Sequence, residues 1–533
     1  MKAERSSGEN SRVGGRYARY VLVVLFLVYV CNFVDRLIIS ILAEDLKAQL
    51  GVSDRQLGFI AGTAFAVFYA LFGLPLGRLA DIWVRKRLIA IGLFVWSGLT
   101  MLSGTAASFL QLAVYRCGIG IGEASASPAA FSMLSDYFAQ RSRATVLAIY
   151  SSGAYVGMGL GILAGGWILD TWKQAYPDVT LAPFGLSAWQ AAFLIVGAPG
   201  LLLGLLVSTL KEPVRGQTEN ILTEDHPQPV RETLKELMAI VPPFSIVNLI
   251  RRHAGWHMLA WNAGVALFIV GMIVALSHAT DSPGQWIVFG FGLYATFSWV
   301  QNLSIRDAPA YAMMFRCRGF MYTIFGFCSI NFVTYGLAVW IPSFFIRVHG
   351  MDVGEVGTIV GLSVVIAGGI SINVGGILAD RWKARTPNGR LYLGLITILL
   401  TVPAALTLFT TTHVKLALVM NFMVAGLTAM WVGPATSTIM DLVLPRMRAV
   451  TAAFYFLLNV FLGLAIGPFM IGLLSDVLAG QGYTQAESLR MSMTASVFTL
   501  IIPLVLIYRA LSHLARDEAS RLSRARLAGE PDV

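Results

Sequence analysis

Stretches of about twenty mostly apolar residues recur from one end of the chain to the other, separated by short polar segments rich in Arg, Lys, Gly and Pro. In a helix rising about 1.5 Å per residue, twenty residues cover the roughly 30 Å hydrocarbon core of a bilayer. Fourteen such spans are expected, near residues 19–43, 57–80, 87–107, 110–137, 143–169, 189–210, 256–280, 284–304, 318–347, 355–379, 389–410, 414–441, 448–475 and 488–511. Of the 533 residues 56% are hydrophobic and only 13% charged, with a mean hydropathy of +0.70, which excludes an ordinary soluble protein. The expected fold class is all-α and polytopic.

A net charge of +10 would suit a nucleic-acid partner, but the positions of the charges argue otherwise. Basic residues of membrane proteins collect in cytoplasmic loops. With the N-terminus in the cytoplasm, the inside loops receive Arg85-Lys86-Arg87, Arg141 and Arg143, Arg251-Arg252, Arg316 and Arg318, Arg381 to Arg390, and Arg446 and Arg448. The outside keeps Lys47, Arg55, Lys173, Lys415 and Arg490. The asymmetry predicts a multi-pass protein of the cell membrane (the inner membrane in a Gram-negative bacterium) with both termini cytoplasmic, and it accounts for the basic balance without nucleic acid. The first span follows a basic segment as a signal peptide would, yet no small-residue cleavage site follows, so it is expected to be retained. Cys31, Cys117, Cys317 and Cys328 have neither pairing nor metal-ligand spacing and read as small membrane-core residues.

Charge is misplaced inside two spans. Asp35 and Arg36 lie mid-way along the first, where each costs about +2.5 to +3.5 kcal/mol against roughly −0.3 to −0.6 for a flanking Leu, Val, Ile or Phe. Arg116 and Glu123, two helical turns apart in the fourth span, share a face. Counted from the outer end at 1.5 Å per residue, Asp35 lies about 12 Å deep, Arg116 about 9 Å and Glu123 about 20 Å, depths that allow pairing. An intramembrane ionisable residue marks an ion or substrate pathway by default. Asp35 and Glu123 are the candidate proton carriers, since a carboxylate in low dielectric needs either a cation or a proton. Arg36 and Arg116 are the available cations.

The chain also repeats itself. Asn32-Phe33-Val34 recurs 299 positions later as Asn331-Phe332-Val333, and the same offset carries Gly51 to Gly350, Gly58 to Gly357, Gly62 to Gly361, Gly77 to Gly376 and Leu79-Ala80-Asp81 to Leu378-Ala379-Asp380. A second block, at offset 305, takes Asp136 to Asp441, Arg141 to Arg446 and Arg143-Ala144 to Arg448-Ala449. Two homologous six-span bundles are therefore expected, at 19–212 and 316–512, flanked by cytoplasmic tails at 1–18 and 513–533 that read as disordered or surface-lying. Parallel repeats of this kind place a substrate site near the midplane between the halves. The intervening 213–315 holds a polar linker, an interfacial helix from Arg231 with Leu234, Leu237, Met238 and Val241 on one face, and two extra spans around Asp281-Ser-Pro-Gly. The extra pair reads as a peripheral packing hairpin. At the repeat offsets Asp35 and Arg36 become Thr334 and Tyr335, Glu123 becomes Thr428 and Arg116 becomes Asn421. The buried charge was not duplicated. Asn32, Asn331, Thr334 and Tyr335 join Arg36 and Arg116 as candidate substrate-binding residues.

Gly73-Leu-Pro-Leu-Gly77-Arg-Leu-Ala-Asp81 with Arg85-Lys86-Arg87, echoed by Gly376-Ile-Leu-Ala-Asp380-Arg381, resembles the loop 2–3 signature of the major facilitator superfamily. An acid at a helix end can cap the positive N-terminus of a neighbour, and Asp81, Arg85, Arg87 and Asp380 are expected to form a conformational latch. Tyr115-Arg116-Cys-Gly118-Ile-Gly120-Ile-Gly122-Glu123 resembles the superfamily's fourth-helix motif. Gly153, Gly157, Gly161 and Gly165 form a small-residue ladder in the fifth span, with Gly463 and Gly467-Pro468 similar, and read as packing. With Ala64 to Pro75, Trp96-Ser97 and Thr100, Ala126-Ser-Pro128, Trp340-Ile-Pro342 and Arg347-Val-His-Gly350, the chain resembles the Spinster branch.

That resemblance implies a proton-linked carrier of lysolipids and sphingoid phosphates that alternates by rocking its halves. Protonation of the acids would release the arginines to a phosphate-bearing head group, and Phe65, Phe68 and Tyr69 are candidate acyl-chain contacts. The expected partners are an amphipathic or lysolipid substrate and the bilayer. No cofactor is expected beyond the proton gradient, nor any metal or catalytic residue, and the carrier is expected to act as a monomer. Two alternatives stand: a broad-specificity drug or organic-anion exporter of the same fold, and a membrane-embedded lipid-modifying enzyme. Against the enzyme, the sequence has no nucleotide loop, no Ser elbow and no His-rich or Cys-rich ligand spacing.

Overall fold

The computed structural model describes residues 13–216, 218, 227–241, 244–251 and 255–530. The first twelve residues of the N-terminal tail, most of the linker between 217 and 226, and Arg252 lie outside the described residues. In chain order the first half comprises α1 (Arg16–Leu50), α2 (Asp54–Ile82), α3 (Arg85–Ser103), α4 (Phe109–Glu123), α5 (Ala126–Tyr137), α6 (Gln140–Ala175) and α7 (Ala188–Thr209). Between the halves lie α8 (Pro229–Ile240), α9 (Phe244–Arg251), α10 (Trp256–Thr280), α11 (Pro283–Arg306) and α12 (Ala308–Phe315). The second half comprises α13 (Arg318–His349), α14 (Val353–Lys383), α15 (Gly389–Thr410), α16 (Val414–Asp441), α17 (Pro445–Gly480) and α18 (Gln485–Ala519), followed by α19 (Arg521–Leu527).

Among the described residues twelve helices are long and apolar enough to cross a membrane, so two of the expected fourteen spans do not meet that measure. The stretch 110–137 is broken into α4 and α5, of 15 and 12 residues. Pro128 sits in the first turn of α5, where its missing N–H is tolerated, and Ser125 turns its hydroxyl back on the Gly122 carbonyl at 2.7 Å. The other shortfall is α11, which is 24 residues long but buries Gln285, Ser298, Gln301 and Asn302 along its length.

The sequence repeat appears in the backbone. Both α1 and α13 stop at a glycine in the left-handed region, Gly51 at φ 63° and Gly350 at φ 66°, where a side chain would be strained. At the end rich in arginine, Arg85 pairs with Asp136, and the residues 305 positions on, Arg390 and Asp441, pair at 2.6 Å. The C-terminal segment is helical to Leu527 and held against the second half, which fits the surface-lying alternative for this tail rather than the disordered one. Asp517 accepts from the Gly319 amide at the start of α13 at 2.8 Å, Glu518 pairs with Lys383 at 2.6 Å, and Glu530 pairs with Arg446. These bonds tie α18 and α19 to three other helices.

Glycine sets how closely the helices approach. The ladder Gly153, Gly157, Gly161 and Gly165 turns to α1, where a Cβ on Gly157 would strike the Val30 carbonyl. A second set on α6 faces the other half: a Cβ on Gly166 would come within 2.7 Å of the Gly357 Cα, and Gly159 meets Gly361. On the opposite side α2 meets α17. Pro468 has no N–H for the Leu464 carbonyl four residues back, and Gly62, lacking a side chain, lets α2 close onto that carbonyl. One residue on, the Thr63 hydroxyl donates to the Ala465 carbonyl.

Candidate functional site

Four charged side chains converge in the first half. The Arg36 Nε donates to Glu123 Oε2 at 2.6 Å, with both side chains buried. Its guanidinium lies over the rings of Phe33, Phe65 and Tyr69, 4.5, 4.8 and 4.3 Å from their centroids, each a favourable cation–π placement. Arg116 is bonded to backbone instead, donating to the Ile60 carbonyl at 3.3 Å and the Asp35 carbonyl at 3.1 Å. The Asp35 carboxylate is fully buried beside Trp96 and Thr100 of α3, yet among the described residues neither of its oxygens closes a hydrogen bond. Asn32 lies alongside Glu123.

The helices account for this division. Successive residues on a helix point about 100° apart, so Asp35 and Arg36 cannot face the same neighbour. One turns to α3 and the other to Glu123 at the end of α4, just ahead of the break. Among the described residues Glu123 therefore has a cation and Asp35 has none in contact. An ionised carboxylate without a partner in low dielectric costs several kcal/mol.

A cavity of about 640 Å³ lies directly in front of this cluster, open toward the arginine-rich end. Its inner wall holds Tyr69, whose ring covers Arg36, and Ala124 and Ser127 beside Glu123. Facing walls supply Phe131 and Phe456, and Arg78 and Asp81 stand at its mouth. The size and the apolar lining with a few polar groups suit a small-molecule ligand. A second cavity, of about 70 Å³, lies between Leu37, Tyr155 and Ile162 of the first half and Thr334, Asn421 and Thr428 of the second.

Of the predicted substrate contacts, Asn32, Arg36 and Arg116 belong to the cluster and Thr334 to the smaller cavity. Asn331 instead donates its amide to Asn459. Tyr335 packs against Gly463. Of the three aromatics, Tyr69 lines the large cavity, whereas Phe65 is wholly buried behind it, stacked on Tyr69 with centroids 5.5 Å apart. Phe68 is half-buried outside that wall. Among the predicted latch residues, Arg85 binds Asp136 and Glu212 within its own half, the latter at 2.7 Å, and Asp380 binds Arg390 at 2.7 Å. Asp81 faces the cavity mouth near Arg78 and Arg215, and Arg87 is exposed.

The opposite end carries a second constellation that the sequence reading missed. Arg347 of the second half clasps two acids of the first, Glu44 at 2.8 Å and Asp54 with both terminal nitrogens at 2.8 and 2.9 Å. Asp54 is wholly buried and also receives Lys47 and the Ser475 hydroxyl, each at 2.7 Å. Asp476 in turn accepts from the first two amides of α2, Asp54 at 3.0 Å and Arg55 at 2.9 Å. One end of the interface is thus clasped shut while the other is open. A signal was available: Asp54 and Arg347 fall at Val353 and Ala48 across offset 299, so these charges, too, break the repeat.

Comparison with known proteins gives a family and a fold. The model of the Major Facilitator Superfamily matches residues 25–251 and again 238–468. Over 475 residues the chain is 27% identical to an MFS-type efflux pump of Mycolicibacterium smegmatis, covering 89% of this chain and 88% of that one. Protein spinster homolog 1 of Mus musculus is 23% identical over 478 residues, covering 86% and 73% respectively. The crystal structure of a bacterial homologue of the human lysosomal transporter Spinster, inward-facing and unoccupied, superposes with a TM-score of 0.71 at 24% identity over 94% of this chain and 98% of that one. At that identity the likeness speaks for the fold.

Proposed function

The chain belongs to the major facilitator superfamily of membrane transporters and resembles its Spinster branch, and on that premise we propose that it is a proton-coupled secondary carrier of lysophospholipid-like or sphingoid-phosphate-like amphiphiles. The observation that carries this reading is the pairing of an unpartnered buried acid, Asp35, with an Arg36–Glu123 ion pair one residue behind the wall of a largely apolar cavity. A proton on Glu123 would release Arg36 toward a phosphate, for which a guanidinium offers charge-assisted hydrogen bonds, and the aromatic wall suits an acyl chain. The arginine-rich end is the cytoplasmic one by the positive-inside rule, so both termini are cytoplasmic and this conformation is inward-facing. In this reading α4 with α5, and α11, cross the membrane as well, giving fourteen crossings in a monomer of the cell membrane. The latch role of Asp81, Arg85, Arg87 and Asp380 belongs to the same proposal.

The test is transport of a labelled lysophospholipid into or out of proteoliposomes under an imposed pH gradient. The native carrier is expected to respond to the gradient, and Asp35→Asn and Glu123→Gln are each expected to abolish that response while leaving exchange measurable. Unchanged coupling in both variants would sink the assignment. A second reading, export of drugs or organic anions, is favoured by the likeness to a mycobacterial efflux pump. A panel of amphipathic drugs and sugar acids in the same vesicles separates the two by which compounds compete.

A further inference from the structure

The α10–α11 hairpin has no counterpart in the twelve helices of the two repeats, and from sequence alone it reads as packing at the periphery. Its position says otherwise. Three hydrogen bonds weld the two helices together: Asn262 to Gln301 at 2.7 Å, Tyr294 to Asn262 at 2.6 Å, and Gln301 to the Met258 carbonyl at 2.7 Å. Outward, α10 presents a lipid-like face, with Leu267 73% and Phe268 72% exposed. Inward, α11 lies in the groove where α2 meets α17. A Cβ on Gly292 would strike the Phe461 ring of one half and come within 2.9 Å of Val67 of the other.

The hairpin's attachments to the two halves differ in kind. Toward the second half they are aromatic, spread along the whole helix and backed by chain continuity through α12. Trp286 packs on Phe469, Phe289 on Phe461 and Trp299 on Phe454, with ring centroids 5.7, 5.8 and 6.0 Å apart. Asp307 binds Arg446 at 2.7 Å. Burial works against the Asp307 charge, but the Arg446 guanidinium and the Ala310 amide outweigh it and hold its carboxyl below the usual range. Toward the first half α11 runs close along α2, with Gly292 beside Val67 and Gly284 beside Phe59, and the polar attachment is Arg55 of α2, donating to the Thr280 carbonyl at 2.5 Å and pairing with Asp281 on the hairpin turn at 3.1 Å. The Asp281 side chain is 89% exposed, and an ion pair in that setting holds weakly. Toward the arginine-rich end, Trp299 and Arg306 of α11 form part of the 640 Å³ cavity wall, and Arg306 reaches Glu236 of α8 at 3.1 Å.

We propose that α11 is a working wall of the carrier that belongs mechanically to the second half: it closes the α2–α17 seam against lipid, lends Trp299 and Arg306 to the cavity, and slides along α2 whenever the clasped end opens. The proposal rests on the alternating-access reading above. It makes the hairpin a contributor to the cavity's selectivity, since whatever passes between α2 and α17 must pass Trp299.

The test needs no substrate. In full-length carrier in lipid nanodiscs, with the four native cysteines replaced by alanine, spin-label distances are measured with and without Arg347→Ala, which unties the clasp. A reference pair, Ala48→Cys with Gln485→Cys, spans the two halves at that end. Gly284→Cys is then paired with Ala107→Cys of the first half or with Val477→Cys of the second. Arg347→Ala is expected to add a longer component to the reference pair and to the Gly284–Ala107 pair, and to leave the Gly284–Val477 pair single. In parallel, Trp299→Cys is expected to react with a water-soluble thiol reagent while Leu267→Cys does not, and its reactivity is expected to fall in Arg347→Ala. A Gly284–Val477 distance that splits while Gly284–Ala107 stays single would assign the hairpin to the first half and overturn the proposal. So would a Trp299→Cys no more reactive than Leu267→Cys. A reference pair that stays single throughout would overturn the alternating-access reading, and this proposal with it.

Discussion

Arg36 and Glu123 are worth more to each other than either is to the fold. Breaking a buried ion pair from one side leaves an uncompensated charge and costs about 3–5 kcal/mol, whereas replacing both partners by apolar residues of similar volume is often neutral. Arg36→Met alone is therefore expected to destabilise the detergent-solubilised protein by roughly that amount, and Arg36→Met with Glu123→Leu to recover most of it; thermal unfolding of the three proteins measures both. A double variant as unstable as the single would mean that Arg36 is held mainly by its three aromatic neighbours. The sequence placed the charges at comparable depths and identified them as costly. It left their partners open, because a helix fixes the angle between Asp35 and Arg36 but not which neighbours stand in those two directions.

At the scale of helices, small residues were legible and their targets were not. The evident ladder from Gly153 to Gly165 packs α6 on α1 within one half, while the α6–α14 side of the interface between the halves rests on Gly159 and Gly166, which periodicity alone did not single out. Gly166→Val inserts a branched side chain where the Gly357 Cα lies 2.7 Å from a Cβ. Overpacking of this kind costs about 1–3 kcal/mol, and here it also opposes closure of the clasped end. The expected result is a lower melting temperature together with increased alkylation of an engineered cysteine at Met351, which is buried on the loop between α13 and α14. A melting temperature that falls with no change in alkylation would confine the effect to packing. The broken fourth span belongs to this scale as well. Composition reads 110–137 as one continuous span, but a proline three residues into α5 and a serine folded onto the preceding turn divide it just after Glu123.

For the whole molecule the question is which end of the interface is open. Arg347 spans both halves through Glu44 and Asp54, and hydrogen bonds to charged groups contribute about 1.5–3 kcal/mol each. If Arg347→Ala removes about 2 kcal/mol from the clasped state alone, the balance with the opposite state moves roughly thirtyfold. A cysteine at Ser475, which is wholly buried beneath Asp54, is then expected to become reactive from that end; unchanged protection would mean that the α2–α17 backbone contacts suffice. The sequence by itself determined most of the helices, the two repeated halves and the confinement of the mid-membrane acids and arginines to the first half, because hydrophobic length, glycine stops and internal self-similarity are local or directly countable. Only the tertiary structure decided that Glu123 is paired and Asp35 is not, that the clasp joins Arg347 to Asp54, and that α11 lines the cavity. Each of those depends on which faces of distant helices meet, and that is set by packing between elements whose separation along the chain carries no local signal.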